Sequence, residues 1–147
     1  MLQLNPETFE ILAPKLSYLN SDPVSRLAME KQLAIFMYLV GPGASNGQTQ
    51  YHFQQSGKTV SCIFHHIISL IIKFAPTYIK APTTGATHPV ILDNPKFSPF
   101  FDDCLGALDS VHVQAKVLED LAPPYRSHKG TLSQNVLGVV DFSMQFT

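Results

Sequence analysis

An α+β fold, helical over residues 1–80 and built of strands over residues 100–147, is predicted by three observations. Apolar residues recur at helical spacing behind capping residues as far as Phe74. They form extended runs beyond Cys104, and a proline-rich stretch over 81–99 separates the two patterns. With 45% hydrophobic and 14% charged residues the chain can build a packed core, which excludes global disorder. Its 147 residues fit one ordinary domain, or a small helical domain followed by part of another.

Asn5-Pro6-Glu7 reads as a helix start: a capping side chain, a proline at the first helical position and an acid at the positive end of the dipole. Phe9, Leu12, Leu16 and Leu19 form the apolar stripe, and Pro14 is expected to weaken or split the helix. A second helix is expected from Asp22-Pro23 through Val40, with Leu27, Leu33, Phe36, Met37 and Val40 inward and Gly41-Pro42-Gly43 as its stop. Ser45-Asn46 caps a short helix ending near Phe53. Ser56-Gly57 makes a turn, and a longer helix over 58–74 turns Val60, Phe64, Ile67, Ile68 and Ile71 to one side. Two helices joined by so short a glycine-containing turn give the outline of a helix-turn-helix, and the same spacing fits a plain helical hairpin. The outer side of the longer helix would show Lys58, Ser61, Cys62, His65, His66, Ser69 and Lys73. Several of these can donate to phosphate, but none is the arginine, asparagine or glutamine that reads bases best.

The stretch over 81–99 is read as a linker, partly packed because Val90, Ile91 and Leu92 are too apolar for a solvated tether. Beyond it, residues 104–109 read as an apolar strand ending at Asp109, and His112, Val113 and Val117 as a further extended piece. Residues 135–140 and 144–147 look like a hairpin turned at Asp141-Phe142-Ser143.

Net charge is −1, so the whole molecule carries no field strong enough to draw it onto nucleic acid or an anionic membrane. The distribution is more informative, because no acid lies between Glu30 and Asp93 whereas Lys31, Lys58, Lys73, Lys80, His52, His65, His66 and His88 do. That segment is either a phosphate-facing surface or a buried helical stretch that needs few charges. Cys62 and Cys104, far apart and in no metal or redox spacing, are expected to be reduced thiols of an intracellular protein. Residues 1–10 do not have the pattern of a secretion signal, no uncharged apolar run reaches membrane-spanning length, and no membrane partner is expected.

For chemistry, the candidate is Asp109, placed by this reading at the end of a strand, where α/β sheets present catalytic groups. A two-metal phosphoryl-transfer site needs two or three converging carboxylates, and the other acids nearby are Asp102, Asp103 and Asp141. Asp109 with His112 would be half of a zinc or mixed site that lacks a second pair of ligands. No P-loop, nucleophile elbow or dinucleotide fingerprint occurs.

Gly106-Ala107-Leu108-Asp109-Ser110-Val111-His112 is similar to the G-A-I-D-G-T-H motif around the first catalytic aspartate of Harbinger-type DDE transposases. In order along the chain, several segments agree with it. Phe53 with Ser56-Gly57-Lys58-Thr59-Val60-Ser61 resembles that family's F-x-x-S-G-E-T-V-S segment, and Asn94-Pro95-Lys96-Phe97-Ser98-Pro99-Phe100-Phe101 its approach to the first strand. Tyr125-Arg126-Ser127-His128-Lys129-Gly130 resembles its R-N-R-K-G turn, and Ser133-Gln134-Asn135-Val136 with Asp141-Phe142 its S-Q-N-V strand and D-F corner. The resemblance implies a helix-turn-helix domain over 1–80 and the start of a ribonuclease H-like nuclease domain over 100–147. It further implies a nuclear site of action, Asp109 as first ligand to Mg²⁺ or Mn²⁺, and DNA as partner, met by Lys58, Ser61, His65, Lys73, Arg126 and Lys129.

The departures from the family's pattern matter as much. Its second aspartate, in a G-S-x-H-D-S motif, and its final glutamate have no counterpart up to Thr147, so the chain is expected to stop inside the third core strand and not to cut DNA. Ser110-Val111 replace glycine and threonine, Ser127-His128 replace asparagine and arginine, and Gly47 stands where arginine is frequent, which together imply a decayed copy. Leu105, Leu108, Val136, Leu137, Val139 and Val140 are expected to lack cover, so that full-length transposase or another sheet-completing chain becomes a partner.

Overall fold

The computed structural model describes residues 4–22, 25–81, 87–128 and 130–147. It is a mixed α+β structure of two compact units, Met1–Thr77 and Tyr78–Thr147. Among the described residues there are five α-helices and one two-stranded antiparallel sheet.

The first unit holds α1 (Pro6–Leu19), α2 (Met29–Val40), α3 (Asn46–Phe53) and α4 (Gly57–Phe74). Asn5 caps α1 by accepting from the Glu7 amide at 3.1 Å. The helix runs unbroken through Pro14. The packing explains why: Ala13 and Leu16, on either side of the proline, are buried in the core shared with α2 and α4, and Phe9, Leu12 and Leu19 pack against it. Burying a leucine is worth about 1.5–3 kcal/mol, enough with its neighbours to offset a proline cost of about 3 kcal/mol.

Helix α2 begins at Met29, well after Asp22. Pro23 lies outside the described residues. Just before the helix, the Ser25 hydroxyl accepts from the Leu27 amide at 3.2 Å, and the buried Gln32 side chain donates to the Leu27 carbonyl at 2.8 Å. These local bonds hold the backbone in a bend that competes with helix. Leu33 and Phe36 point inward as expected, whereas Val40 is 48% exposed and Ile35 is fully buried in its place.

Ser45 closes a capping box on α3: its hydroxyl accepts from the Gln48 amide and the Gln48 side chain accepts from the Ser45 amide. Ser45→Ala is expected to lower the stability of the helical unit by about 1 kcal/mol. A thermal melt matching that of the parent would show that α3 is held by packing alone. Ser56 caps α4 through the Thr59 amide at 3.2 Å. The fully buried row of α4 is Val60, Ile63, Ile67 and Leu70, with Phe64, Ile68 and Ile71 beside it. The expected stripe is therefore turned by about one position, because α1 and α2 pack on the side where Ile63 and Leu70 project. Gly57–Thr77 is long and apolar enough to cross a membrane by length and composition; in this unit it is the helix that α1, α2 and α3 all contact.

In the second unit, the stretch read as linker is partly structured. Residues 82–86 lie outside the described ones, and then α5 (Pro89–Leu92) forms one turn, capped by His88 Nδ1 and burying Ile91. Val90, Ile91, Phe97, Phe101, Cys104 and Phe142 line an apolar cavity of about 180 Å³. The sheet pairs β1 (Ala107–Gln114) with β2 (Ser133–Val140) from Ala107 opposite Val140 to Gln114 opposite Ser133. The expected hairpin beyond β2 is reduced to one bridge, Val140 to Phe146, with the Thr147 amide donating to the Val139 carbonyl at 3.1 Å. Gly106 leads into β1 where no side chain fits, because a Cβ there would overlap the Val140 carbonyl oxygen.

Candidate functional site

Two places gather the residues singled out above. In the ribbon, β1 does not stop at Asp109: that residue is third in the strand, which continues to Gln114. Val111 and Val113 favour extended backbone, and β2 offers a partner along the whole length, so the strand outlasts the acid. Alternation puts Ala107, Asp109, Val111 and Val113 on one face with Gln134, Val136, Gly138 and Val140, and leaves Leu108, Ser110, His112 and Gln114 on the other.

Asp109 is exposed, and its Oδ1 accepts from the Ser110 amide at 2.7 Å. It borders an open depression of about 390 Å³ with Ala107, Val111, Val136, Val140 and Phe146. Directly across the ladder stands Gly138, which has no side chain to fill the space over the carboxylate. The sequence reading missed this glycine, and the register that makes it informative cannot be read from one strand.

The other acids do not join Asp109. The Asp141 carboxylate is taken up by the corner after β2, accepting from the Ser143 and Gln145 amides at 2.8 and 2.9 Å. Asp102 and Asp103 lie in turns before the strand, and Asp102 Oδ1 is buried without a hydrogen-bond partner. His112 is on the opposite face, its Nδ1 3.1 Å from the Ser133 hydroxyl, so it cannot share a metal ion with Asp109. Among the described residues no three His, Cys, Asp or Glu side chains come together as a metal site. A single carboxylate does not fit a pair of Mg²⁺ or Mn²⁺ ions, which need several converging oxygens. Cys62 and Cys104 are free thiols, and Cys104 donates to the Gly106 carbonyl at 3.1 Å.

The second place is the outer face of α4. Lys58, Ser61, His65 and Lys73 follow one another at helical spacing, the lysines and His65 exposed and Ser61 half-buried. His65 Nδ1 lies 2.8 Å from the Ser61 carbonyl and the Ser69 hydroxyl donates to the His65 carbonyl at 2.9 Å, so both side chains are partly spent on their own helix. With Cys62 and His66 they line a shallow depression of about 420 Å³. Three residues, 54–56, separate α3 from α4, with Gln54 in the left-handed region at φ 53°. A Cβ at Gly57 would meet Gln50 Nε2 at 2.9 Å, the far end of a side chain that can swing aside. His52 stacks on Tyr38 of α2 with centroids 4.8 Å apart, a contact that nothing in the sequence pattern announced.

Arg126 belongs to the second unit, exposed and in a bridge with Leu132. Lys129 lies outside the described residues.

Compared with known proteins, residues 1–73 match the family model described as "Domain of unknown function (DUF8040)". That span runs from α1 to the last turn of α4, so the helical unit is similar to that family. No curated protein and no solved structure matches the chain.

Proposed function

We propose that this chain is a relative of Harbinger-type DDE transposases, a nuclear protein whose second unit has the start of a ribonuclease H-like fold and whose own residues do not cleave DNA. One observation carries the reading. The segment similar to the family's first-aspartate motif is a strand, and it pairs along its length with the segment similar to the S-Q-N-V strand. Asp109 stands exposed over a glycine in that pairing, where a carboxylate could meet a phosphate-bound cation if further ligands were brought to it. Alone it offers one ligand, and metal activation of water for phosphodiester hydrolysis needs more. The purified chain is expected to leave supercoiled DNA intact in Mg²⁺ or Mn²⁺. Nicking that disappears in Asp109→Ala would overturn this.

A second reading, favoured by the short α3–α4 connection and the face of Lys58, Ser61, His65 and Lys73, is that the helical unit is a helix-turn-helix that binds duplex DNA and competes with full-length transposase. The two lysines would contact phosphates, and each such contact releases about one counterion. Lys58→Ala with Lys73→Ala is expected to weaken binding on any sequence and to reduce the log–log salt slope by about two. An unchanged slope, or no binding by the parent at low salt, would remove the DNA from this reading.

A further inference from the structure

We infer that His65 is a proton-dependent phosphate contact: it bonds a DNA backbone oxygen only as the imidazolium, so the α4 face takes up one proton from solvent when it binds. This role rests on the helix-turn-helix reading and adds the regulation of that same face. Its basis is the bond between His65 Nδ1 and the Ser61 carbonyl oxygen, 2.8 Å long. A carbonyl oxygen only accepts, so Nδ1 holds the hydrogen, and in a neutral imidazole the other nitrogen, Nε2, is then a bare acceptor. A phosphate oxygen is an acceptor too, and the two lone pairs repel. With a second proton on Nε2, the ring keeps its bond to Ser61 and gains both an outward N–H and a positive charge. Those are the two requirements of a charge-assisted hydrogen bond to phosphate. The ring is also steadied from the side, meeting Phe64 edge-on with centroids 5.6 Å apart.

The surroundings leave the proton to be decided by pH and by DNA. Helices α1, α2 and α3 pack against α4, and their charged or imidazole side chains are Glu7, Glu10, Lys15, Glu30, Lys31 and His52. None of these borders the depression at His65, whose lining residues all belong to α4. On α4 itself there is no acid to pair with an imidazolium, and Lys58 and Lys73 stand seven residues before and eight after. His66, the other imidazole of the depression, has its Nε2 buried without a hydrogen-bond partner, so that atom cannot reach a phosphate. An approaching phosphate therefore supplies the missing negative charge, and binding and protonation of His65 favour each other.

The test is binding of the full chain to a short DNA duplex, measured against salt at about pH 8 and about pH 5.5, on either side of the ordinary imidazole range. Lys58 and Lys73 are expected to give a log–log salt slope of about two at the higher pH, and His65 to raise it to about three at the lower. Affinity at fixed salt should rise about tenfold, the contribution of one charge-assisted hydrogen bond. Both changes should vanish in His65→Gln, whose melting temperature should match the parent's because the side chain is exposed. They should persist in His128→Gln, which removes an exposed histidine of the second unit. A slope that is the same at both pH values, or a pH response that survives in His65→Gln, would overturn this role and leave the helix-turn-helix reading standing. No binding at either pH would overturn both. Nitrogen NMR of the chain without DNA checks the tautomer separately: above the titration the His65 hydrogen is expected on Nδ1, and finding it on Nε2 would overturn the role even if DNA binds.

Discussion

Gly106→Ala is expected to abolish the β1–β2 pairing while leaving the helical unit intact. The added Cβ would fall on the Val140 carbonyl oxygen, with the Val140 carbonyl carbon at 3.1 Å and the Asp141 Cα at 3.3 Å. All three atoms are backbone, so no rotamer change relieves the overlap; β2 must move. Overpacking of this kind costs about 1–3 kcal/mol even in a large core that can give. A ribbon with exposed faces has little packing energy to set against it, and an isolated strand pair is marginal at best. Gly138→Ala is the control, since its Cβ would make only ordinary contacts, 3.8 Å from the Asp109 carbonyl oxygen and from Phe146. Hydrogen exchange decides the matter: protection of the paired amides of β1 should vanish in Gly106→Ala and survive in Gly138→Ala. Equal protection in the two would mean that the Gly106 backbone is not held against β2.

Ile63→Ala is expected to have the larger effect on the first unit. Ile63 is fully buried on α4, in one cluster with Leu16, Leu33 and Ile35 from α1 and α2. Truncating such a side chain costs about 2–5 kcal/mol through lost transfer energy and the cavity left behind. For a unit of this size each kcal/mol lowers the melting temperature by about 4–8 °C, so a drop on the order of 10–30 °C should follow. Ile72→Ala, on the same helix but 65% exposed, should barely move it. Similar melting temperatures for the two variants would refute this assignment of the core.

The contrast between Ile63 and Ile72 marks how far the sequence could be read. Over 60–74 the chain is so rich in large apolar residues that several stripes fit it, and only the arrival of α1 and α2 picks the row that is buried. The start of α2 was misread because Asp22-Pro23 is a sound start signal on its own, whereas the Ser25 and Gln32 side chains hold the following turn out of helix. Pro14, expected to weaken or split α1, does not split it, because Ala13 and Leu16 are packed on both sides of it.

At the candidate site, Asp109 was singled out as the acid ending an apolar run and by its motif, yet the strand runs on past it. Strand ends are set by the partner, and β2 continues opposite β1 for five residues beyond Asp109. The same register puts Gly138, 29 residues further along the chain, across from Asp109, whereas the alternation of one strand is enough to part His112 from it.

What the sequence determined by itself was local. The caps at Asn5 and Ser45, the extent of α3 and α4 to within a residue and the change from helical to extended pattern all depend on residues within one turn of each other. Tertiary structure alone decided which row of α4 is buried, that α1 survives its proline, and that a glycine stands across the ladder from the carboxylate of β1. Those outcomes turn on which surfaces meet. Burial and strand register are properties of pairs of segments, and neither segment contains them alone.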